Sequence, residues 1–234
     1  QERYPEQSRD PFALPSGFGS RGGSGSGSIP FSSLLLGTCE LSVAGVAPLS
    51  AAIRKRGFAT AETSRGLDAL NLSDNPELCD SGIVALAQML PPKFVGPGDL
   101  STLRMLYLEQ TSCGDEGMAA LTLALRQMPR LEELQLSDNP RITASGWQAL
   151  GAVLPFLPAL RELRTSRCRG MACAGVAALL TKLPTMQRQG QADATRPALE
   201  ELYVDDCGIG VEGARALAAV LQYCSKLTRL SVRD

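Results

Sequence analysis

The residue types that most often carry out catalysis or hold metal ions are sparse in this chain. Its 234 residues include no histidine, so the usual general base and the commonest nitrogen ligand are both absent. No potential nucleophile has an obvious activating neighbour in the sequence. We therefore expect a protein that is not an enzyme and that uses no cofactor.

The seven cysteines are scattered and form no Cys-x-x-Cys pair, which argues against a zinc site. Their odd number and irregular spacing also argue against a disulfide framework. We expect free, mostly buried thiols in a reducing compartment, and hence a cytoplasmic protein.

The chemistry that the sequence does offer is acidic and aromatic. A glutamate stands directly before a leucine at Glu133, Glu162 and Glu201, and a tyrosine directly follows a leucine at Tyr107 and Tyr203. Stacked carboxylates attract basic partners, and tyrosine is enriched among the residues that dominate binding energy. Three carboxylates supply too few oxygens for a calcium site. Whether these side chains share one surface depends on the elements that carry them.

Those elements are copies of one repeated phrase. The stretch Leu72-Ser-Asp-Asn-Pro76 recurs word for word at 136–140, and each copy closes a longer phrase, Leu-x-x-Leu-x-Leu-x-x-Asn. Such spacing is typical of repeat proteins. The phrase begins seven times, 28 to 39 residues apart, at Phe31, Leu67, Leu103, Leu131, Leu160, Leu199 and Leu227.

A second signature follows the phrase in each of six repeats. It is a glycine followed by apolar residues four and eight positions later, as in Gly117, Leu121 and Leu125. The phrase has the period of two that is expected of a strand, and the second signature has the spacing of one helix face. One unit cannot bury both apolar faces by itself, so the units must stack, with parallel strands joined by right-handed crossovers. The sequence therefore predicts an α/β solenoid.

These motifs resemble the leucine-rich repeat family, and the repeat length near 28 with a helix-forming second half is similar to its ribonuclease-inhibitor-like branch. That branch includes Ran GTPase-activating protein and the sensor arrays of NOD-like receptors. The resemblance covers residues 31–234, as six full repeats and the strand of a seventh. It implies a horseshoe with a concave parallel sheet and convex helices. It implies a non-catalytic protein-binding module, or alternatively a GTPase-activating or other regulatory subunit.

We number each repeat from the first residue of its phrase. If the leucines at positions 4 and 6 point inward, positions 3, 5 and 7 face the hollow of the horseshoe. The three glutamates then stack on adjacent strands, where like charges disfavour folding. The alternative is a solvated face on which Arg164 and salt absorb the repulsion. We predict that a protein partner, expected to be basic, contacts Tyr107, Tyr203, Glu109, Glu133, Glu162, Glu201, Arg164 and Asp205.

Two kinds of segment stand apart from the repeats. Residues 1–30 are rich in Gly, Ser and Pro and are expected to be a flexible tail or linker. Their Gly17-x-Gly19-x-x-Gly22 precedes more Gly and Ser instead of a helix, so it does not predict nucleotide binding. Three insertions lie between a helix and the next strand, so all of them emerge on the same edge of the solenoid. They either make additional contacts there or are extra surface length that the fold tolerates. These insertions are Arg54–Gly66, Pro91–Thr102 and Pro184–Ala198.

The overall charge and hydrophobicity of the sequence predict no further class of partner. The formal net charge is −1, which gives no reason to expect nucleic acid. No apolar run is long enough to predict a membrane span. The sequence begins with Gln1 and stops at Asp234, inside a repeat, so we expect a fragment of a longer product.

Overall fold

The computed structural model describes residues 33–56, 67–89, 103–180, 199–221, 224 and 226–233. The tail 1–30 and the insertions at 91–102 and 184–198 lie outside the described residues. The first insertion was predicted to begin at Arg54, but the first helix continues to Arg56. The first three residues of the predicted insertion are therefore the last three of that helix.

Within those ranges, short strands alternate with helices. The strands are β1 (Ser33–Leu35), β2 (Ala69–Asn71), β3 (Met105–Tyr107), β4 (Glu133–Gln135), β5 (Glu162–Arg164), β6 (Glu201–Tyr203) and β7 (Arg229–Ser231). The helices are α1 (Val43–Arg56), α2 (Cys79–Met89), α3 (Asp115–Leu125), α4 (Ala144–Val153), α5 (Ala172–Leu180) and α6 (Gly210–Leu221). Short 3-10 turns precede α2 at Pro76–Leu78 and follow α4 at Leu154–Phe156.

All seven strands form one parallel sheet in chain order, from β1 to β7. Each strand consists of positions 3 to 5 of its phrase, and equal positions pair across the sheet, as Leu106 does with Leu134. The leucine at position 4 sets this register because a slip of one residue would turn it from the core to the opposite face. The predicted α/β solenoid is confirmed.

The core lies between the sheet and the row of helices. Leu136, at position 6, is 0% exposed, as predicted. The helix positions Leu121 and Leu150 are likewise fully buried. Trp147 fills the seam between α4 and α5, where its indole Nε1 donates to the carbonyl of Ile142 at 3.2 Å. Burial of this repeated leucine set makes each unit depend on its neighbours.

A buried asparagine ties each Asn-bearing turn to the repeat before it. Asn139 Oδ1 accepts from the amides of Thr111 and Cys113 at 3.2 and 3.0 Å. Its Nδ2 donates to the carbonyls of Leu108, Leu136 and Ser137 at 2.8 to 3.1 Å. Asn75 holds Leu36 and Leu41 of the first repeat in the same way. The asparagine thus joins the backbones of two consecutive repeats.

Cysteine replaces asparagine in this slot in later repeats. Cys168 donates its thiol to the carbonyl of Leu136 at 3.3 Å, and Cys207 donates to that of Thr165 at 3.1 Å. Burial raises the pKa of Cys168 to about 12, so this thiol stays protonated. All seven cysteines are free. Cys39, which was predicted to be buried, is exposed, since the structure describes no repeat in front of β1.

Position 8, three residues after the end of each of the first six strands, has a left-handed backbone conformation. Its φ angle lies between 51° and 58° in every case. Aspartate tolerates this conformation better than most residues because its short side chain bonds locally, and it fills half of these positions. They are Thr38, Asp74, Gln110, Asp138, Arg167 and Asp206.

An aspartate near the start of one helix caps the next helix. Asp80 Oδ1 accepts from the amides of Gly114 and Gly117 at 2.6 and 2.9 Å. Asp115 repeats the arrangement one unit later, accepting from the amide of Gly146 at 3.0 Å. A carboxylate at this place satisfies unpaired amides and favours the positive end of the helix.

The same cap accounts for the glycine in the first turn of α4. A Cβ at Gly146 would come within 2.7 Å of Asp115 Oδ1 and of Ile142 Cγ2. The glycine thus makes room for side chains, one from the preceding unit and one from its own.

None of the helices in the described ranges has the length and apolar character needed to cross a membrane.

Candidate functional site

The candidate site is the concave face, by which we mean the face of the sheet opposite the helices. The structure places the eight predicted residues on this face, at positions 3, 5 and 7 of their repeats. Position 3 forms a row in which Glu133 pairs with Glu162 and Glu162 with Glu201. The predicted stacking of the three glutamates is therefore present, while a binding role for them stays a prediction.

Glu133 is held by a neutral donor. The Tyr107 hydroxyl donates to Glu133 Oε2 at 2.5 Å, diagonally across β3 and β4. Burial and this bond raise the pKa of the Tyr107 hydroxyl well above its ordinary value. Burial also raises the pKa of the Glu133 carboxyl, and the bond from Tyr107 offsets this only in part. A partly desolvated carboxylate without a cation is costly to keep ionised.

Glu162 has an internal cation. The Arg164 guanidinium, two residues along β5, donates through Nε to Glu162 Oε1. The same guanidinium lies over the Tyr203 ring, 4.5 Å from its centre. Burial lowers the pKa of Arg164, but its bond to Glu162 and the nearby acids outweigh that effect, so the net pKa is raised. Arg164 thus stays charged while it spans both partners.

Glu201 also has a cation, at the carboxyl-terminal end of the row. Arg229 faces it across β6 and β7, with Nη1 3.6 Å from Glu201 Oε2. The Tyr203 hydroxyl donates to the same carboxylate and accepts from Arg229 at 3.0 Å. Among the three stacked glutamates, Glu133 therefore has no ion pair in the part of the chain that the structure describes. The solvated-face alternative has support at Glu162 and Glu201, whose carboxylates each contact an arginine of the same sheet.

A second charged group lies at the exits of the strands. Arg167 donates through Nε to both oxygens of Asp138, at 2.7 and 2.8 Å, and through Nη2 to Glu109 Oε1 at 3.0 Å. It links three consecutive repeats. Burial, then contact with Asp138, raises the pKa of Glu109. Asp205 accepts from the Ser231 hydroxyl at 2.7 Å.

At position 2, where the strands begin, the charges alternate in sign instead. Arg104 and Glu132 form a two-bonded ion pair at 2.9 and 2.8 Å. Alternation gives each of the three central charges an opposite charge on both sides. Along the sheet the row reads Asp68, Arg104, Glu132, Arg161 and Glu200.

The amino-terminal half of the concave face has a different composition. Leu35 is 49% exposed there, which confirms the prediction that it faces the hollow. Met105 is half-buried, and Ala69 and Asn71 are only 4% and 6% exposed. This half carries no acidic side chain at positions 3 and 5 of β1 to β3.

Several contacts were beyond the sequence reasoning. The capping role of Asp80 and Asp115 was missed, although both stand two residues before a helix glycine, which is a usable signal. Thr111 was not recognised as the occupant of the asparagine slot in its repeat. No group of acidic and cysteine side chains in the described ranges is arranged to hold a metal ion.

Comparison with known proteins gives two findings. A family model described as leucine rich repeat matches residues 127–151 and 197–218. The chain is also 34% identical over 152 residues to protein NLRC5 of Mus musculus. The match covers 63% of this chain and 6% of NLRC5, so the chain spans a small part of the length of that relative.

Proposed function

We propose that this chain, which is similar in part to the leucine rich repeat model and to NLRC5, is a non-catalytic module whose concave face binds a basic protein partner. Repeat proteins of this architecture present an extended concave surface on a rigid scaffold. A cytoplasmic location, which the seven free cysteines favour, is part of the same proposal.

The observation that carries the proposal is the contrast between two neighbouring rows. At position 2 the charges alternate, whereas at position 3 Glu133, Glu162 and Glu201 are aligned on adjacent strands. Like charges at this separation, about 4.8 Å between strands, cost stability. Arg164 and Arg229 offset part of that cost at Glu162 and Glu201. Glu133 has no such cation among the described residues, so the row keeps a charge that an external cation can meet.

The two tyrosines support the same surface. Tyr107 and Tyr203 lie at position 5, and both are half-buried with their hydroxyls bound to glutamates of the row. A tyrosine held in place by its neighbours loses little conformational entropy when a partner covers it. We therefore assign them as apolar contacts beside the acidic row, with Arg164, Glu109 and Asp205 at its margins.

GTPase activation, the alternative that the resemblance implies, has no specific residue in its favour. The positions that match the family are those that define the repeat. A GTP-turnover assay with candidate small GTPases separates the two functions, since a simple binding module leaves turnover unchanged.

The test uses a library of short random peptides displayed on phage. The wild-type chain should enrich peptides rich in Lys and Arg, and their association should slow as salt rises from about 50 to 500 mM. Replacing the row by Gln (Glu133→Gln, Glu162→Gln and Glu201→Gln) keeps its shape and should abolish the enrichment. The matched control removes three exposed glutamates elsewhere, by Glu77→Gln, Glu116→Gln and Glu212→Gln. Equal enrichment by both triple variants would refute the proposal.

A further inference from the structure

The concave face has a low point over β2. Ala69 and Asn71, the two concave-facing residues of that strand, are only 4% and 6% exposed. The larger Leu35 on β1 and Met105 on β3 are their direct neighbours in the sheet, and both are more exposed. The result is a shallow depression with a small floor and apolar walls, and Tyr107 borders it beside Asn71.

The floor carries a hydrogen-bond donor without a partner. Asn71 Oδ1 accepts from the amide of Ser73 at 2.8 Å. Because a backbone amide can only donate, this bond fixes which atom of the side chain is oxygen, and the Nδ2 group is the other one. Within the described residues, Nδ2 donates to no acceptor. Every fully buried side-chain nitrogen or oxygen there is bonded, so Nδ2 must be reachable from the hollow.

A nearly buried donor of this kind discriminates strongly between ligands. An acceptor that reaches it gains a bond in surroundings of low dielectric, whereas a ligand that covers it without an acceptor leaves it desolvated and unpaired. The apolar walls require an apolar group beside that acceptor. The depression thus fits an apolar side chain next to a carbonyl oxygen.

We propose that the depression around Asn71 is the anchoring subsite for an amphipathic helix of a protein partner, which lies across the strands with its basic end at Glu133. This inference rests on the proposed function for the nature of the partner. An apolar residue of the helix occupies the depression, and a side-chain carbonyl in the same turn, such as that of Gln or Asn, accepts from Asn71 Nδ2.

The spacing of the concave face favours a helix over an extended segment. Two strand intervals separate β2 from β4, which amounts to about 10 Å. Seven residues of a helix advance about 10.5 Å and return to the same face. In an extended segment a residue three positions further on lies about 10 Å away, but its side chain points to the opposite side, away from the sheet. The helix therefore carries an apolar residue, a contact for Tyr107 one turn later, and Lys or Arg at the seventh position.

The experiment uses peptides enriched by the wild-type chain, synthesised with a fluorescent label, and measures their Kd by anisotropy. Asn71→Asp keeps the acceptor for Ser73 but removes the donor, and binding should weaken about tenfold or more, although the added negative charge favours a basic peptide. Gln135→Glu makes the same chemical change two strands away and should not weaken binding. Leu35→Ser, at an exposed site that the fold does not need, should weaken binding severalfold.

The outcomes separate this inference from the proposed function. If Asn71→Asp and Leu35→Ser bind like wild type while the triple Gln variant does not, the subsite is refuted and the proposed function stands. If the triple Gln variant also binds normally, or if no peptide is enriched, both are refuted. Bound peptides that show no helical circular dichroism would refute the helical occupant. Helical peptides with an apolar residue seven positions from Lys or Arg support the inference.

Discussion

The hydroxyl of Tyr107 lies 2.5 Å from Glu133 Oε2, so a neutral donor from one repeat holds the acidic side chain of the next. Its neighbour Glu162 has Arg164 in the corresponding role. The two carboxylates therefore differ in what they offer: one is already neutralised by a cation, and the other keeps a charge that an incoming Lys or Arg can meet.

Stability should fall as pH rises through the mildly acidic range. Burial raises the pKa of Glu133 and Glu109 above the ordinary 4.5. The folded state therefore holds their protons more tightly than the unfolded state, so this contribution is largest at low pH and is lost as pH rises from 4.5 through the raised values. Urea melts over this range should show a shallower pH dependence for Glu133→Gln. The control Glu116→Gln, exposed on α3, should follow wild type; a wild-type stability that rises steadily over the same range would contradict the prediction for these groups.

Leu136→Ala should destabilise the solenoid by about 2–5 kcal/mol. Leu136 is 0% exposed at the junction of consecutive repeats, so truncation loses apolar burial and leaves a cavity. The control is Leu123→Ala, at a site 67% exposed on α3, which should change stability by less than about 0.5 kcal/mol. Denaturant melts measure both. A loss below about 0.5 kcal/mol for Leu136→Ala would mean that the assigned register is wrong.

Asn139→Ala should cost at least about 2 kcal/mol, because it leaves several buried backbone groups of two repeats without partners. Asn139→Cys should cost less, since Cys168 fills the equivalent slot and donates to a carbonyl of the preceding repeat. Thermal melts of the two variants give the order. Equal losses would show that a thiol donor in this slot adds nothing to stability.

The open edge of β7 should promote self-association. In the described part of the chain β7 pairs with β6 alone, and Val232, which follows it directly, is 41% exposed. Unpaired apolar edges are prone to intermolecular pairing. Sedimentation velocity should show species larger than a monomer as concentration rises, and Val232→Lys should reduce them. A monomer at all concentrations would count against an adhesive edge.

The register of the sheet could be predicted from the sequence because it follows from burial. A leucine such as Leu134 must point into the core, and its orientation fixes that of Glu133 and Gln135 on either side of it. The row of three glutamates was therefore predictable in position.

The contacts within that row were not predictable, because they depend on side-chain rotamers and on pairs far apart in sequence. Arg229 could have faced solvent, yet it lies against Glu201 and Tyr203. No sequence motif distinguishes Asn71 from the other residues of its repeat. The orientation of its side-chain amide follows from the bond between its Oδ1 and the amide of Ser73, which the sequence does not predict. Polar networks of this kind are set by local geometry.

The alternating charges at position 2, directly before the strands, have a period of two repeats. Removing the single repeat that begins at Leu131 would bring Arg104 against Arg161, two like charges on adjacent strands. Removing that repeat together with the next would bring Arg104 against Glu200 and restore an opposite pair. Viewed this way, the structural unit along this edge is a pair of repeats. Gain or loss of units should accordingly be tolerated better in twos than singly.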